Sequence, residues 1–95
     1  MARFYTHGSA TLGTTPTLIC NVGQVDGSMV LQNTSASTIY LGASNVASSG
    51  ANLGISVSAG ATFSVPSIAG SGSLPLYGIV ASGSAVVVYL YPSAA

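Results

Sequence analysis

Apolar and small polar residues alternate along this chain in runs of a few residues, and clusters of Gly, Ser, Asn, Thr and Pro separate each run from its neighbour. A period of two puts every second side chain on one face of a strand, and no stripe at i, i+3, i+4 competes with it. Glycine recurs every few residues and there is no Glu or Lys to lace a helix surface, so the pattern reads as all-β. Strands are predicted at 3–7, 10–14, 17–22, 29–33, 37–42, 53–57, 61–65, 76–81 and 85–91, the first as an arm or edge strand. About eight short antiparallel strands make a single small β-sandwich or barrel. Residues 1–9 are expected to form an extended N-terminal arm and residues 10–95 one β domain.

The faces can be read strand by strand. Met29, Leu31 and Asn33 share one face against Val30 and Gln32, Ile39 and Leu41 oppose Thr38 and Tyr40, and Ala61, Phe63 and Val65 oppose Thr62 and Ser64. Leu53, Ile55 and Val57 alternate with Gly54 and Ser56. A hairpin is expected across Thr34-Ser35-Ala36, and the strands at 76–81 and 85–91 are expected to pair around Ser82-Gly83-Ser84. Ser58-Ala59-Gly60 reads as a tight turn, as do the residues around Gln24-Val25-Asp26-Gly27. The polar stretch 43–52 reads as a loop with Val46 as its anchor, and 66–75 as a second loop. In the run 85–91, Val86, Val88 and Leu90 face one way and Val87, Tyr89 and Tyr91 the other, with no polar residue between them. Such a strand is expected at a sheet centre or against another subunit, because left bare it would be an aggregation hazard.

Charge changes the picture more than bulk composition does. The chain has 48% hydrophobic residues and a mean hydropathy of +0.65, too apolar for disorder. Its only charged side chains are Arg3 and Asp26, beside one histidine, His7, and one cysteine, Cys20. Proton transfer, metal binding and phosphate binding draw on those residue types, so an enzyme is not expected, nor a cofactor or metal. Zero net charge without a basic run argues against nucleic acid and against an anionic membrane surface. The longest uninterrupted apolar run, 85–91, is far short of a membrane-spanning helix, and the first residues lack the apolar core of a secretory signal. One cysteine allows no intrachain disulfide.

Individual motifs add little chemistry. His7 and Asp26 alone could complete a serine triad, and no G-x-S-x-G elbow is present. His7, Cys20 and Asp26 have no chelating spacing, and the glycines at 50, 54, 70 and 72 lack the lysine of a phosphate loop. Asn33-Thr34-Ser35 fits a glycosylation sequon but reads as a polar turn after a strand. Tyr40, Tyr77, Tyr89 and Tyr91 could stack on sugars, although core and contact roles suit them better. Arg3-Phe4-Tyr5 is a compact group of the residue types enriched at protein contacts, and His7 continues that strand. The expected contact residues are therefore Arg3, Phe4, Tyr5 and His7, with Val87, Tyr89 and Tyr91 on the C-terminal strand for core or subunit contact.

The stretch Thr38-Ile39-Tyr40-Leu41-Gly42-Ala43-Ser44-Asn45-Val46-Ala47-Ser48-Ser49-Gly50, then Leu53, Ser58-Ala59-Gly60-Ala61-Thr62-Phe63 and Leu76-Tyr77-Gly78-Ile79-Val80-Ala81-Ser82-Gly83, resembles small virion structural proteins of tailed bacteriophages. The resemblance spans the last two thirds of the chain and departs from the family in its near lack of acidic residues. It implies a compact β domain made in the host cytoplasm that decorates the outer capsid as a cement protein. The implied partners are the major capsid protein and further copies of the chain, as a trimer. Tail-associated and fibre proteins use similar sequences, which implies the alternative of a host-surface or carbohydrate-binding module working through the loops at 43–52 and 67–73. No catalytic residues come with the resemblance.

Overall fold

The computed structural model describes residues 3–21, 28–66 and 75–94. The described chain forms eight strands: β1 (Arg3–Leu12), β2 (Thr17–Asn21), β3 (Ser28–Asn33), β4 (Ile39–Gly42), β5 (Ile55–Val57), β6 (Thr62–Pro66), β7 (Pro75–Val80) and β8 (Ala85–Ala94). Apart from a single 3-10 turn at Gly50–Asn52 there is no helix among the described residues. The strands form two open four-stranded sheets in the orders β1-β8-β3-β6 and β2-β7-β4-β5, with every ladder antiparallel. The expected all-β sandwich is what the chain forms.

The ladders follow a nested rule. β1 pairs with β8, β2 with β7, β3 with β6 and β4 with β5, so the first four strands and the last four form one long antiparallel ribbon. Folding that ribbon over brings β8 beside β3 and β7 beside β4, which completes the two sheets. This strand order is that of an eight-stranded jelly roll.

The nesting overturns two local expectations. β3 and β4 do not form a hairpin across 34–36, and β7 does not pair with β8 across 82–84, because in each case the two strands belong to different sheets. Alternation tells a strand which face to bury, and a corner between sheets satisfies it as well as a hairpin does. The one sequential pair is β4 with β5, joined by the long connection 43–54. The predicted strands at 3–7 and 10–14 also fuse into β1, which is extended but does not stand free as an arm. It pairs with β8 from Arg3 opposite Ala94 to Leu12 opposite Ala85 without a register shift. Gly8 permits the passage, since a Cβ there would stand 2.5 Å from the Tyr89 hydroxyl.

Inward residues from both sheets make the core. Leu12, Met29, Leu31, Val65 and Val87 of the first sheet meet Ile19, Ile39, Leu41, Val57 and Val80 of the second. The face assignments on β3, β4 and β6 hold, and Val46 is buried as the anchor of its connection. Of the strand expected at 53–57 only 55–57 forms, as β5, with Val57 buried and Ile55 exposed, while Leu53 lies exposed in the connection before it. The accessible surface, 5142 Å², is close to the ~5,000 Å² expected of a folded chain of this mass.

One end of the sandwich is tied by a buried asparagine. Asn33 is fully buried, and its side-chain N–H groups donate to the carbonyls of Ser37 (2.7 Å), Val57 (3.0 Å) and Ser58 (3.2 Å). Its Oδ1 accepts from the backbone N–H (3.0 Å) and hydroxyl (2.7 Å) of Ser35. Its backbone donates to Ala61 and accepts from Gly60, whose φ of +76° lets the 58–61 corner turn. Asn33 thereby joins the β3–β4 and β5–β6 corners, and a hydrogen bond from the Val80 N–H to the Gly13 carbonyl holds the corner that follows β1. The turn predicted at 24–27 and most of the loop predicted at 66–75 lie outside the described residues.

Candidate interaction face

Register fixes which side chains share the outer face of the first sheet. His7 on β1, Leu90 on β8, Val30 on β3 and Ser64 on β6 form one row across it. Ser9, Val88, Gln32 and Thr62 form the next row, and Thr11 beside Val86 begins a third. The two central strands thus supply an apolar stripe, while hydroxyl, imidazole and amide groups border it on β1, β3 and β6. Val30 (43% exposed), Val86 (44%) and Leu90 (43%) stand open to solvent, and Val88 is half-buried among them. The sheet curves here into a concavity of about 730 Å³ lined by His7, Ser9, Val30, Gln32, Thr62, Val88 and Leu90 among others. No charged residue is among those lining it.

The expected contact residues divide between this face and the interior. Arg3 and Phe4 open β1 opposite Ala94 and Ser93. Tyr5 is the most exposed large apolar residue among those described, at 76%, and lies with His7 on the outer side of β1. Val87 is fully buried, and Tyr89 and Tyr91 share its inward side, half-buried, with their rings stacked at 6.0 Å between centroids and 19° between planes. The open side of β8 is the other one, Val86, Val88 and Leu90. The sequence signal was present in the two-sided apolar run, but the choice of inner face belongs to the pairing with β3. There Tyr89 stands opposite Leu31, which commits the larger rings to the interior.

Inside the sandwich the bulge between Leu18 and Cys20 turns Cys20 toward Tyr91. Burial pushes the Cys20 thiol above its ordinary value, and a hydrogen bond from the Tyr91 hydroxyl partly opposes that. Burial likewise raises Tyr91, with Cys20 and Tyr89 adding to the shift. His7 stands on the outside of the sheet and Cys20 between the sheets, so these two are not brought together, and Asp26 lies outside the described residues. Among the described residues no three His, Cys, Asp or Glu side chains cluster.

The tyrosines considered for sugar stacking are also divided. Tyr89 and Tyr91 point into the core, while Tyr40 and Tyr77 lie half-buried on the outer side of the second sheet, where Leu18 opposes Tyr77. The connection 43–54 is folded against β4 through Val46, which fills the space a Cβ on Gly42 or Gly54 would need. It leaves a hollow of about 210 Å³ beside Gly42, Asn45, Asn52 and Leu53.

Fold and face together describe a jelly-roll domain whose first sheet has an apolar stripe on its outer side and a concavity with no charged residue in its lining. Comparison with protein-family models, with curated proteins and with solved structures finds no match.

Proposed function

We propose that this chain is a non-enzymatic virion structural protein, a decoration protein that binds the outer surface of a tailed-bacteriophage capsid and stabilises the shell. The observation that supports this reading is the outer face of the first sheet, with its open Val86, Leu90 and Val30 and half-buried Val88 bordered by His7, Ser9, Gln32 and Thr62. An apolar centre with a polar rim is the make-up of a protein contact, and no Asp, Glu, Lys or Arg lines the concavity to be desolvated. The resemblance of 38–50 and 76–83 to virion proteins supplies the partner, the major capsid protein, and favours the capsid surface over the tail. Binding the assembled shell and not its free subunits stabilises the shell by RT ln(1 + [L]/Kd) per site. The alternative, a glycan-binding module on a tail or fibre, is weaker, because of the four tyrosines suited to stacking on a sugar Tyr89 and Tyr91 pack against the core and Tyr40 and Tyr77 are half-buried.

The test is a binding assay with purified capsids and the Val88→Lys, Leu90→Lys double variant. Both side chains sit on the outer face, so the variant keeps its fold while a pair of unpaired charges enters the contact. Binding by the wild type and a loss of about 100-fold or more in the variant is expected, the loss of two buried apolar contacts plus desolvation of two ammonium groups. Equal binding by both proteins, or wild-type binding to glycans and not to capsids, overturns the reading.

A further inference from the structure

A jelly roll has four sheet edges, and in this chain three of them are blunted. β2 is shifted by a bulge between Leu18 and Cys20 and preceded by Pro16, β5 has only three residues, and β6 has five and ends in Pro66. Short strands, bulges and prolines are the devices by which natural sheets refuse an extra strand. β1 has none of them. It is ten residues long, keeps unbroken register with β8, and contains no proline and no charge other than Arg3 at its first position.

We infer that β1 is an association edge, and that its occupant is the β1 strand of a second copy of this chain, paired antiparallel about a two-fold axis near His7 and Gly8. Length selects this partner among the chain's own edges, since only another β1 matches a ten-residue ladder; the remaining edges offer three to five residues. Charge selects the direction, because parallel pairing would set the two Arg3 residues side by side and antiparallel pairing sends them to opposite ends. Symmetry then fixes the number. A strand pairing with its own copy is an isologous contact, which closes at two, whereas a ring of three needs two different edges in each subunit. The resemblance to virion proteins implies a trimer, and the edges of this chain favour a pair. The result is a continuous eight-stranded sheet, β6-β3-β8-β1 joined to its copy, with the two outer faces merged into one surface. The inference stands apart from what that surface binds.

Sedimentation equilibrium of the full chain tests it, with hydrogen exchange on the same samples. The wild type is expected at twice the 9.3 kDa chain mass. The His7→Lys, Ser9→Lys double variant, which crowds lysines from both copies around the axis, is expected at the mass of one chain with its melting temperature retained, and Ser56→Lys on β5 is expected to stay paired. Alternate β1 amides should lose protection on dilution while those of β3 do not. A wild-type mass of one chain or three chains at concentrations approaching ~1 mM, the weak limit of specific pairing, overturns the inference. So does dissociation by Ser56→Lys, or β1 exchange that is the same at every concentration. Loss of capsid binding in the Val88→Lys, Leu90→Lys variant bears on the proposed function alone, since neither residue is on β1.

Discussion

Replacing Asn33 by Asp changes one side-chain nitrogen to oxygen in a fully buried site, so it alters hydrogen bonding with no cavity term. The acceptor toward Ser35 survives. The donors toward Ser37, Val57 and Ser58, at 2.7, 3.0 and 3.2 Å, do not. A protonated carboxyl can donate to one of those three carbonyls and leaves two without the bond, a loss of about 2 kcal/mol at ~1 kcal/mol each. An ionised carboxylate donates to none and turns a buried negative charge onto three carbonyl oxygens. Its proton is therefore held more tightly in the folded state, and the folded pKa rises above the unfolded value of about 3.9. A raised carboxyl pKa means that the native state binds more protons than the unfolded state, so stability falls as pH rises from about 4, by up to ~1.4 kcal/mol per pH unit. Carried to neutrality the two terms reach about 6 kcal/mol, against a total of about 5–14 kcal/mol for a chain of this size. The variant is expected to fold at pH 4 and to be largely unfolded at pH 7, whereas the wild type changes little over that interval. Urea unfolding at a series of pH values, followed by near-ultraviolet circular dichroism of the tyrosines, measures both. Asp26 is common to both proteins, which leaves the comparison a direct one. A variant within about 1 kcal/mol of wild type at pH 7 would refute the reasoning. So would parallel pH profiles.

Above pH 9 the wild type should itself weaken. Cys20 and Tyr91 are both held above their ordinary values of 9.0 and 10.0, so the stability they contribute is fully present below about pH 9 and is lost as pH climbs through their folded values. Cys20→Ala should move the onset of alkaline unfolding upward, and an unchanged onset would contradict the assignment. Removing residues 2–8 strips pairing partners from Tyr89 to Ala94 of β8 and uncovers the stacked Tyr89 and Tyr91. The truncated chain is expected to lose several kcal/mol and to bind 1-anilinonaphthalene-8-sulfonate, and a truncated chain with the wild-type melting temperature would show that β1 is dispensable.

The regions of the fold legible in the sequence are those set by neighbours along the chain. Alternation places Met29, Leu31, Ile39, Leu41, Phe63 and Val65 on the inward side, and the polar run 43–52 is broken by the residue that anchors it, Val46. What could not be read is whatever depends on distant partners. The corner at 34–38 looks like a hairpin turn because Ser and Thr suit either, and only the ladder of β3 with β6 and β8 sends β4 to the other sheet. In the sequence Asn33 reads as a polar residue beginning a turn. Its buried role needs three carbonyls from two separate corners, which no local pattern encodes. The interaction face is half legible: the two-sided run 85–91 announces cover on both sides, and the choice of Val86, Val88 and Leu90 for the open side waits on register.

The scarcity of charge and the exposure of that stripe have one physical explanation in the proposed reading. A lysine or glutamate on the outer face would keep the free domain soluble, and covering it would then cost several kcal/mol of desolvation unless a partner supplied the opposite charge. A hydroxyl loses less, because it can exchange water for a carbonyl or amide on the partner. A surface of Ser, Thr, Gln and Val is thus poorly defended as a free monomer and inexpensive to bury, and the same holds for the unblunted edge of β1. The two features occur on one sheet, adjoining each other, which is the placement expected if this sheet is the assembling side of the molecule. The second sheet, by contrast, ends in a bulged strand and a three-residue strand, both of which discourage association. Lysines introduced on the first sheet should therefore raise solubility and lower assembly together, while Ser56→Lys on the second should do neither.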